Sequence, residues 1–468
     1  MRPPQSGTPV QYEGDAFMEV TLSEMLEARE KRARRQNALL TQYRRPLVSF
    51  TMNIAGPVKD SPLIRRGFQI GLRDLEQLLI VERITCLHRE ELAAHTGCEA
   101  ILVADAPAKR LKELTTRLEE YSGIGRLFDM DVLTPSGEKL GRAVPRRCLI
   151  CGRIAQNCAR NRTHSVAELQ EKTYMILADA VDAEDRRFAA QMAQRALLYE
   201  IGITPKPGLV DRSNNGSHRD MDFFTFQRSA VALYPFFEEC VRIGRETRSL
   251  SPSETFARLR FPGKLAEGRM LAATGGVNTH KGAIFSLGIL CGALGRLERE
   301  DWCDLAAVLT VCADMCADLT ADIDRPVDTA GTRLYRDHGI TGARGQAAAG
   351  YPVVLQFGLP KLAAGLSEGL SINDAACAAL LSLIAETTDT NMIHRGGLEK
   401  QQETAKAVAA LLEKTPFPDR GTLEQLDADF IRDNLSPGGC ADLLTMTLVL
   451  HFLKEDGGGA SPTPPAEP

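Results

Sequence analysis

The sequence has a single Trp, an aromatic content of 6% and only eight His. It has no apolar run near the ~20 residues that a membrane-spanning helix needs. Its most apolar stretch, "GAIFSLGILCGALG" (282–295), is too short, so no membrane association is expected. There is no basic excess either: the net charge is −5 and the pI about 6.0. A general nucleic-acid binder exploits phosphate electrostatics with a positive balance, so that class is set aside. No secretory leader is read at the N-terminus, so the 12 Cys are expected to be reduced thiols of a cytoplasmic protein. No internal repeat and no Walker loop is visible.

What is there is ordinary globular material, 44% hydrophobic and 25% charged over 468 residues. That length predicts two or three domains. Residues 1–18 and 456–468 are expected to be disordered, being rich in Pro, Gly and polar residues. Between them the character changes near residue 180. The part from 19 to 180 reads as α/β with a mixed sheet. Helices are expected at 21–43, with Thr21 and Glu24 as a capping box, at 61–79 with Pro at its first position, and at 107–123. Strands are expected at 46–54, 98–106 and 126–134, the last turning through "PSGEK" into another short strand. The part from 181 to 455 has helical spacing and little strand signal, so an all-α helical bundle is expected. Gly288, Gly292 and Gly295 lie at four- and three-residue intervals on one helix. Such a stripe, costly in helix propensity, predicts close approach of another helix.

In the first part, "GRLFDMDVL" puts Asp129 and Asp131 two apart on a strand, hence on one face. Two adjacent carboxylates repel, and a divalent cation such as Mg²⁺ with phosphate oxygens would relieve that repulsion. The competing reading is the solvent face of an edge strand. "NIAGPVKDSPLIRR" supplies Asn53, Gly56 and Lys59 in a strand–loop–helix connection, with Arg65 in the first turn of the helix. Backbone N–H groups and a Lys there can hold phosphate. "CLICGRIAQNCARNRTH" has Cys148, Cys151, Cys158 and His164, a candidate Cys₃His zinc set against ordinary thiols. The run "REKRARRQN" (29–37) reads as the solvated face of a helix.

"NIAGPVKDSP", "RLFDMDVLTPSG" and "RRCLICGRIAQNCARNRTHS" together resemble the apo-citrate lyase phosphoribosyl-dephospho-CoA transferases, over about residues 20–178. The resemblance implies a nucleotidyltransferase-type domain. It would attach a phosphoribosyl-dephospho-CoA arm to a serine of the apo-citrate lyase acyl-carrier (gamma) subunit and release pyrophosphate, with Asp129 and Asp131 as the metal-binding and catalytic pair.

The second part carries five polar loops, each beside an apolar helix: "GITPKPGLVDRSNNGSHRDMDFF", "ATGGVNTHKGA", "DTAGTRLYRDHGITGARGQAAAGYP", "TTDTNMIHRGG" and "NLSPGGCADLL". Capping accounts for one or two of them. It does not account for the cations Lys281, Arg333, Arg336, Arg344 and Arg395, nor for four of the eight His (His218, His280, His338 and His394), all in these segments. Loops converging at one end of a bundle predict a cationic polyphosphate pocket. The five motifs in order, across about 183–455, resemble the triphosphoribosyl-dephospho-CoA synthases. The resemblance implies ATP and dephospho-CoA as substrates, with a ribose hydroxyl displacing adenine from the anomeric carbon of ATP. Asp220 and Asp222 are expected at metal (Asp222 with Mg²⁺) or at the attacking hydroxyl, and His280 or His394 as acids. Lys206, Asn214, Asn215 and Arg219 in the first loop are expected to bind phosphate or substrate. So are Gly276, Asn278 and Lys281 in the second, Arg344 in the third, Asn391 and Arg395 in the fourth, and Asp442 in the fifth. The competing reading of Asp220 and Asp222 is charge at a helix N-terminus.

Together the resemblances imply a bifunctional fusion. The alternatives are the same chemistry serving malonate decarboxylase, a metal-dependent N-ribosyl hydrolase, and a non-enzymatic nucleic-acid adaptor built on the Cys/His cluster and the basic run.

Overall fold

A computed structural model describes residues 18–319, 335, 336 and 338–456. The expectations of disorder before residue 18 and after residue 456, and the placement of Arg333, lie outside these residues. The chain divides into two compact units, Met1–Glu184 and Asp185–Pro468.

Unit 1 begins with α1 (Leu22–Tyr43), which carries the expected Thr21/Glu24 capping box. It leads to β1 (Leu47–Met52) and then to α2 (Pro62–Val81), where Ser61 caps the first turn and Pro62 opens it. A hairpin follows, β2 (Cys86–Ala94) and β3 (Gly97–Ala104), then α3 (Ala108–Tyr121) and β4 (Phe128–Leu133). The sheet order is β2-β3-β1-β4, and every neighbouring pair is antiparallel, so the expected mixed sheet is corrected. The reason is topological. β3 and β4, joined by α3, both run antiparallel to β1, which lies between them, so the two parallel strands never touch. β2 escaped notice because it is a charged edge, mostly exposed, with no apolar alternation. The strand expected after "PSGEK" is a single bridge, Leu133 to Lys139. Phe50 stacks on Phe68 and meets Phe128 edge-on in the core beneath the sheet. Gly71 leaves room for this: a Cβ there would sit 2.6 Å from the Phe50 ring.

The short helix α4 (Ala155–Arg160) and the long helix α5 (Val166–Gly202) follow. Leu177 and Val181 of α5 belong to the first core.

Unit 2 is helical, as its periodicity predicts. α6 (Phe223–Glu246), α7 (Pro252–Thr274), α8 (Lys281–Arg296) and α9 (Leu305–Cys316) pack with the later helices Ile372–Glu386 and Gly438–Asp456 around one large core. The glycine stripe does what its spacing predicts. A Cβ on Gly295 would lie 2.1 Å from the Val241 carbonyl, and one on Gly244 would lie 2.1 Å from the Gly292 carbonyl. α6 and α8 therefore meet backbone to backbone. Gly295→Ala forces these helices apart and is expected to destabilise unit 2 by about 1–3 kcal/mol. Trp302, the one Trp of the chain, is fully buried in this unit, so its fluorescence in a urea titration reads the loss directly.

Candidate active sites, one in each unit

In unit 1, a cavity of about 410 Å³ opens over one face of the sheet. The burial of β4 alternates, and Asp129 and Asp131 both turn to the cavity side. Register sets the rows: Asp129 pairs with Thr51 on β1, which pairs with Glu99 on β3, and Asp131 pairs with Ser49. Asp129 accepts from Arg146 at 3.3 Å, and Asp131 is paired with Lys139. Asn53 and Lys59 also line the cavity. The Lys59 ammonium donates to the Ile54 carbonyl, and burial lowers its pKa, helped by nearby Arg29.

Gly56 and Arg65 stand apart from this lining. Gly56 has φ +85° and a Cβ there would strike the Gln170 side chain, so its use is conformational. Arg65 is more than half exposed and makes a bidentate pair with Asp60. The basic run of α1 is more than a solvated face: Met25, Ala28, Arg29, Arg32 and Gln36 all line the cavity. Their spacing of three, one, three and four residues marks one helix stripe, a signal already present in the sequence. Glu99 was missed too. It is buried and held by Arg32 and Arg35.

In unit 2 the five loops converge on one cavity of about 790 Å³. Of the residues expected at a site, Asn278, His280, Lys281, Asn391, Arg395 and Asp442 line it. Two long helices begin at its wall, Lys281–Arg296 and Gly438–Asp456, and both aim N–H groups and positive dipole ends there. Gly282 is required: a Cβ would overlap an Asp442 carboxylate oxygen at 1.8 Å. Asp389 joins two loops, capping Thr390–Gly396 through Asn391 N–H (2.7 Å) and Met392 N–H (3.1 Å) while accepting from Cys440 N–H (2.9 Å).

Other expected residues stay outside the lining. Asp222 is the N-cap of α6, accepting from Thr225 N–H at 2.8 Å and Thr225 Oγ1 at 2.6 Å. Asp220 and Arg219 are exposed beside it. The capping alternative is thus the role the geometry gives Asp222, and neither aspartate faces the cavity. Lys206 is fully buried and paired with Glu200, so the cavity sees Glu200 rather than the ammonium. Asn214 bonds Asp427, and Asn215 offers its carbonyl to His218 N–H, so both shape the loop. Asp211 is the hub of that loop, accepting from Thr204, Ser213 and Asn214. Gly276, with φ +95°, Arg344 and His394 also lie outside the lining.

The electrostatics reassign roles. Burial, together with Lys206, pushes His280 down to about 3, so at neutral pH its ring has no spare proton and cannot act as an imidazolium acid. Its Nδ1 is bonded to Ser229 Oγ at 2.7 Å. Asp442 is shifted the other way, well above the carboxylate range, by burial and by Glu200 and Asp389. His218 is neutral as well: its Nδ1 accepts from Arg395 and its Nε2 faces Ser436 Oγ at 2.9 Å, and burial lowers its pKa. Five buried polar atoms of the lining, Thr279 Oγ1, His280 Nε2, Gln346 Oε1, Tyr351 Oη and Thr387 Oγ1, have no partner among the described residues. Unpaired buried polar atoms are costly, so this cavity is built for a polar ligand.

His280 also gives a stability signature. The unfolded ring takes up a proton below about 6.5 and the folded ring only below about 3. Its contribution is therefore complete above 6.5 and is lost as pH falls toward 3. Between pH 7 and 5.5 His280 alone is expected to cost unit 2 about 1 kcal/mol by Trp302 fluorescence. His280→Gln should reduce the slope by that amount, leaving the part due to His218 and His451, whose pKa values burial also lowers.

For the metals, the test is whether the residues fit. Asp129 and Asp131, side by side at the unit 1 cavity, fit a Mg²⁺ shared with phosphate. In unit 2, Asp389 and Glu200 are engaged with their own partners, so the lining forms no preassembled carboxylate cage for a metal. Among the described residues no helix is long and apolar enough to cross a membrane.

Two family profiles match the chain. Residues 20–180 match "Apo-citrate lyase phosphoribosyl-dephospho-CoA transferase", and residues 186–461 match "ATP:dephospho-CoA triphosphoribosyl transferase". Among curated proteins, the chain is 36% identical over 456 residues to "Protein CitXG" of Haemophilus influenzae, covering 92% of this chain and 95% of that one. It is 33% identical over 467 residues to "Protein CitXG" of Leuconostoc mesenteroides, covering 93% and 97%. Its second part is 41% identical over 268 residues to the "2-(5''-triphosphoribosyl)-3'-dephosphocoenzyme-A synthase" of Pectobacterium atrosepticum, covering 56% of this chain and 87% of that one. With both profiles matched in tandem and full-length relatives of the same build, the chain belongs to the fused, bifunctional family of citrate lyase prosthetic-group enzymes.

Proposed function

We propose that unit 2 joins ATP to dephospho-CoA and releases adenine, and that unit 1 transfers the product's phosphoribosyl-dephospho-CoA part to a serine of the citrate lyase acyl-carrier subunit, releasing pyrophosphate. The observation that carries the reading of unit 2 is the single cavity where all five loops meet, lined by Lys281, Arg395 and two helix starts.

In that cavity the triphosphate lies against Lys281, Arg395 and the helix N-termini. The bond from the ribose anomeric carbon to adenine breaks, and the dephospho-CoA ribose hydroxyl bonds to that carbon; the proton it loses returns to Asp442, replacing the one that adenine takes. Charge builds on the ribose, as in glycoside hydrolysis. Adenine leaves with a proton from Asp442, which faces the cavity and whose burial, with Glu200 and Asp389 nearby, favours its acid form. His280, neutral, orients the ligand through its open Nε2. In unit 1, Lys59, Arg29 and Arg32 receive the phosphates, and Asp129 and Asp131 are the residues that would hold a Mg²⁺, which would supply polarisation of the breaking P–O bond.

The test is direct. Purified protein with ATP, dephospho-CoA and Mg²⁺ should release adenine, and with the apo carrier added, pyrophosphate and a modified serine. Production of ADP or AMP instead sinks the unit 2 reading. Free ribose triphosphate without dependence on dephospho-CoA makes it a hydrolase.

A further inference from the structure

The segment between β4 and α5 buries almost no side chains. From Thr134 to Lys172 the buried residues are Cys148 and Cys158, and nothing else in that stretch is buried. Leu140 and Leu149 lean on the unit 1 core but remain partly exposed. A folded stretch with so little apolar burial needs a cross-link, and small modules meet that need with disulfides or metals.

Its two buried residues belong to a cluster. The sulfurs of Cys148, Cys151 and Cys158 and a ring nitrogen of His164 all lie within 4.8 Å of one another. Cys151 and Cys158 have their sulfurs 3.4 Å apart. That is far beyond a disulfide bond of about 2.05 Å. It is close to the edge of about 3.6–3.8 Å that zinc–sulfur and zinc–nitrogen bonds set in a tetrahedron. His164 supplies an independent sign, because its Nε2 is buried and has no partner among the described residues.

The backbone is shaped to bring the four together. Cys148 N–H donates to the Arg153 carbonyl (2.6 Å) and Gly152 N–H to the Cys148 carbonyl (3.3 Å). This tight knuckle uses Gly152 at φ +70°, so both sulfurs of the C-x₂-C pair sit on one turn. Arg147 and Ile154 close it with a bridge. Cys158 comes from the short helix α4, and Thr163 N–H returns to the Cys158 carbonyl at 3.0 Å to bring His164 in.

We propose that Cys148, Cys151, Cys158 and His164 bind one structural Zn²⁺, and that this zinc fixes the segment carrying Arg146. Four protein ligands close the coordination shell, which marks a structural rather than a catalytic site. Arg146 lies two residues before Cys148, and its carbonyl accepts from Ala155 N–H (2.8 Å) inside the knuckle. Its guanidinium bonds Glu119 at 2.7 Å and Asp129 at 3.3 Å. Zinc occupancy thereby decides whether a cation stands beside the carboxylate of the unit 1 cavity. Arg146 is a positioning residue here. This consequence rests on the proposed transfer reaction; the metal site does not.

The experiment uses the full chain. Elemental analysis of protein purified without chelator should give about one zinc per chain. Cobalt substituted for it should show thiolate charge-transfer bands and the intense red absorption of a tetrahedral site. Cys151→Ser, at an exposed ligand that opens no core cavity, should lose most of the metal and the cobalt spectrum. A strong chelator should do the same to the native chain and make the arginines of the segment, from Arg142 to Arg162, rapidly cleavable by trypsin. Zinc far below one per chain, with three freely titrating thiols in the cluster or a Cys151–Cys158 disulfide, overturns the site. Full zinc retention by both Cys151→Ser and His164→Ala also overturns it. A chain that holds zinc yet transfers nothing to the carrier leaves the metal site standing and removes the transferase reading of unit 1.

Discussion

Asp442→Asn is expected to lower adenine release by about 10²–10⁴-fold, the usual contribution of a positioned general acid, while carrier modification from supplied precursor stays at the native rate. Asp442 faces the unit 2 cavity, and burial with Glu200 and Asp389 raises its pKa well above the carboxylate range. That shift favours the protonated form, the form that can hand adenine its proton as it leaves. Asn has nearly the same shape and can still accept the backbone hydrogen bond from Ala283, so folding should survive; what is lost is the acidic proton. A structural role would produce the same fall in rate, so a second substrate separates the two. An ATP analogue methylated at N7 of the base leaves without needing a proton. It should restore most of the rate in Asp442→Asn and gain little in the native enzyme. If the analogue rescues nothing and Trp302 fluorescence shows an intact fold, Asp442 is not the acid. Asp222→Ala makes the contrast: as a helix cap outside the cavity, it should change stability more than turnover.

Much of this was legible in the sequence, for identifiable reasons. Period-two spacing put Asp129 and Asp131 on one face because strand geometry leaves no other choice. The glycine stripe of α8 announced a helix contact because glycine in a helix interior is otherwise a cost. The five loops announced a shared site through repeated polar groups beside apolar helices. Direction within a loop could not be read. Lys206 and Arg344 are cations in the right segments, yet one is buried against Glu200 and the other is exposed away from the cavity. Charge type gives no clue to which way a side chain turns when no regular period constrains it. Glu200 and Tyr351 were missed for the converse reason. They sit in or beside helices with the look of core or surface residues, and only packing turns them to the cavity. The antiparallel sheet was hidden because β2 carries its charge on an edge, where hydrophobic alternation is not required.

Asp129→Asn should do the reverse of Asp442→Asn. Carrier modification is expected to fall by at least about 10²–10³-fold, the scale of losing one group that stabilises transition-state charge, with adenine release unchanged. The sheet explains why the loss should be specific. Asp129 lies on β4 in register with Thr51 and Glu99, its side chain on the cavity side, so the substitution removes a charge without touching the core face. Arg146 would keep its shorter bond to Glu119, which is buried and also accepts from Met130 N–H at 2.8 Å. The local fold is therefore held by contacts the substitution leaves in place. Arg65→Ala serves as the control, since its guanidinium is tied to Asp60 outside the cavity, and transfer should stay within about twofold, as for most surface changes. Raising Mg²⁺ should recover part of the Asp129→Asn rate, because weaker metal binding is offset by mass action, whereas a purely structural defect would not respond. Equal damage to both activities in a folded protein would mean that the chain does not work as two separate sites.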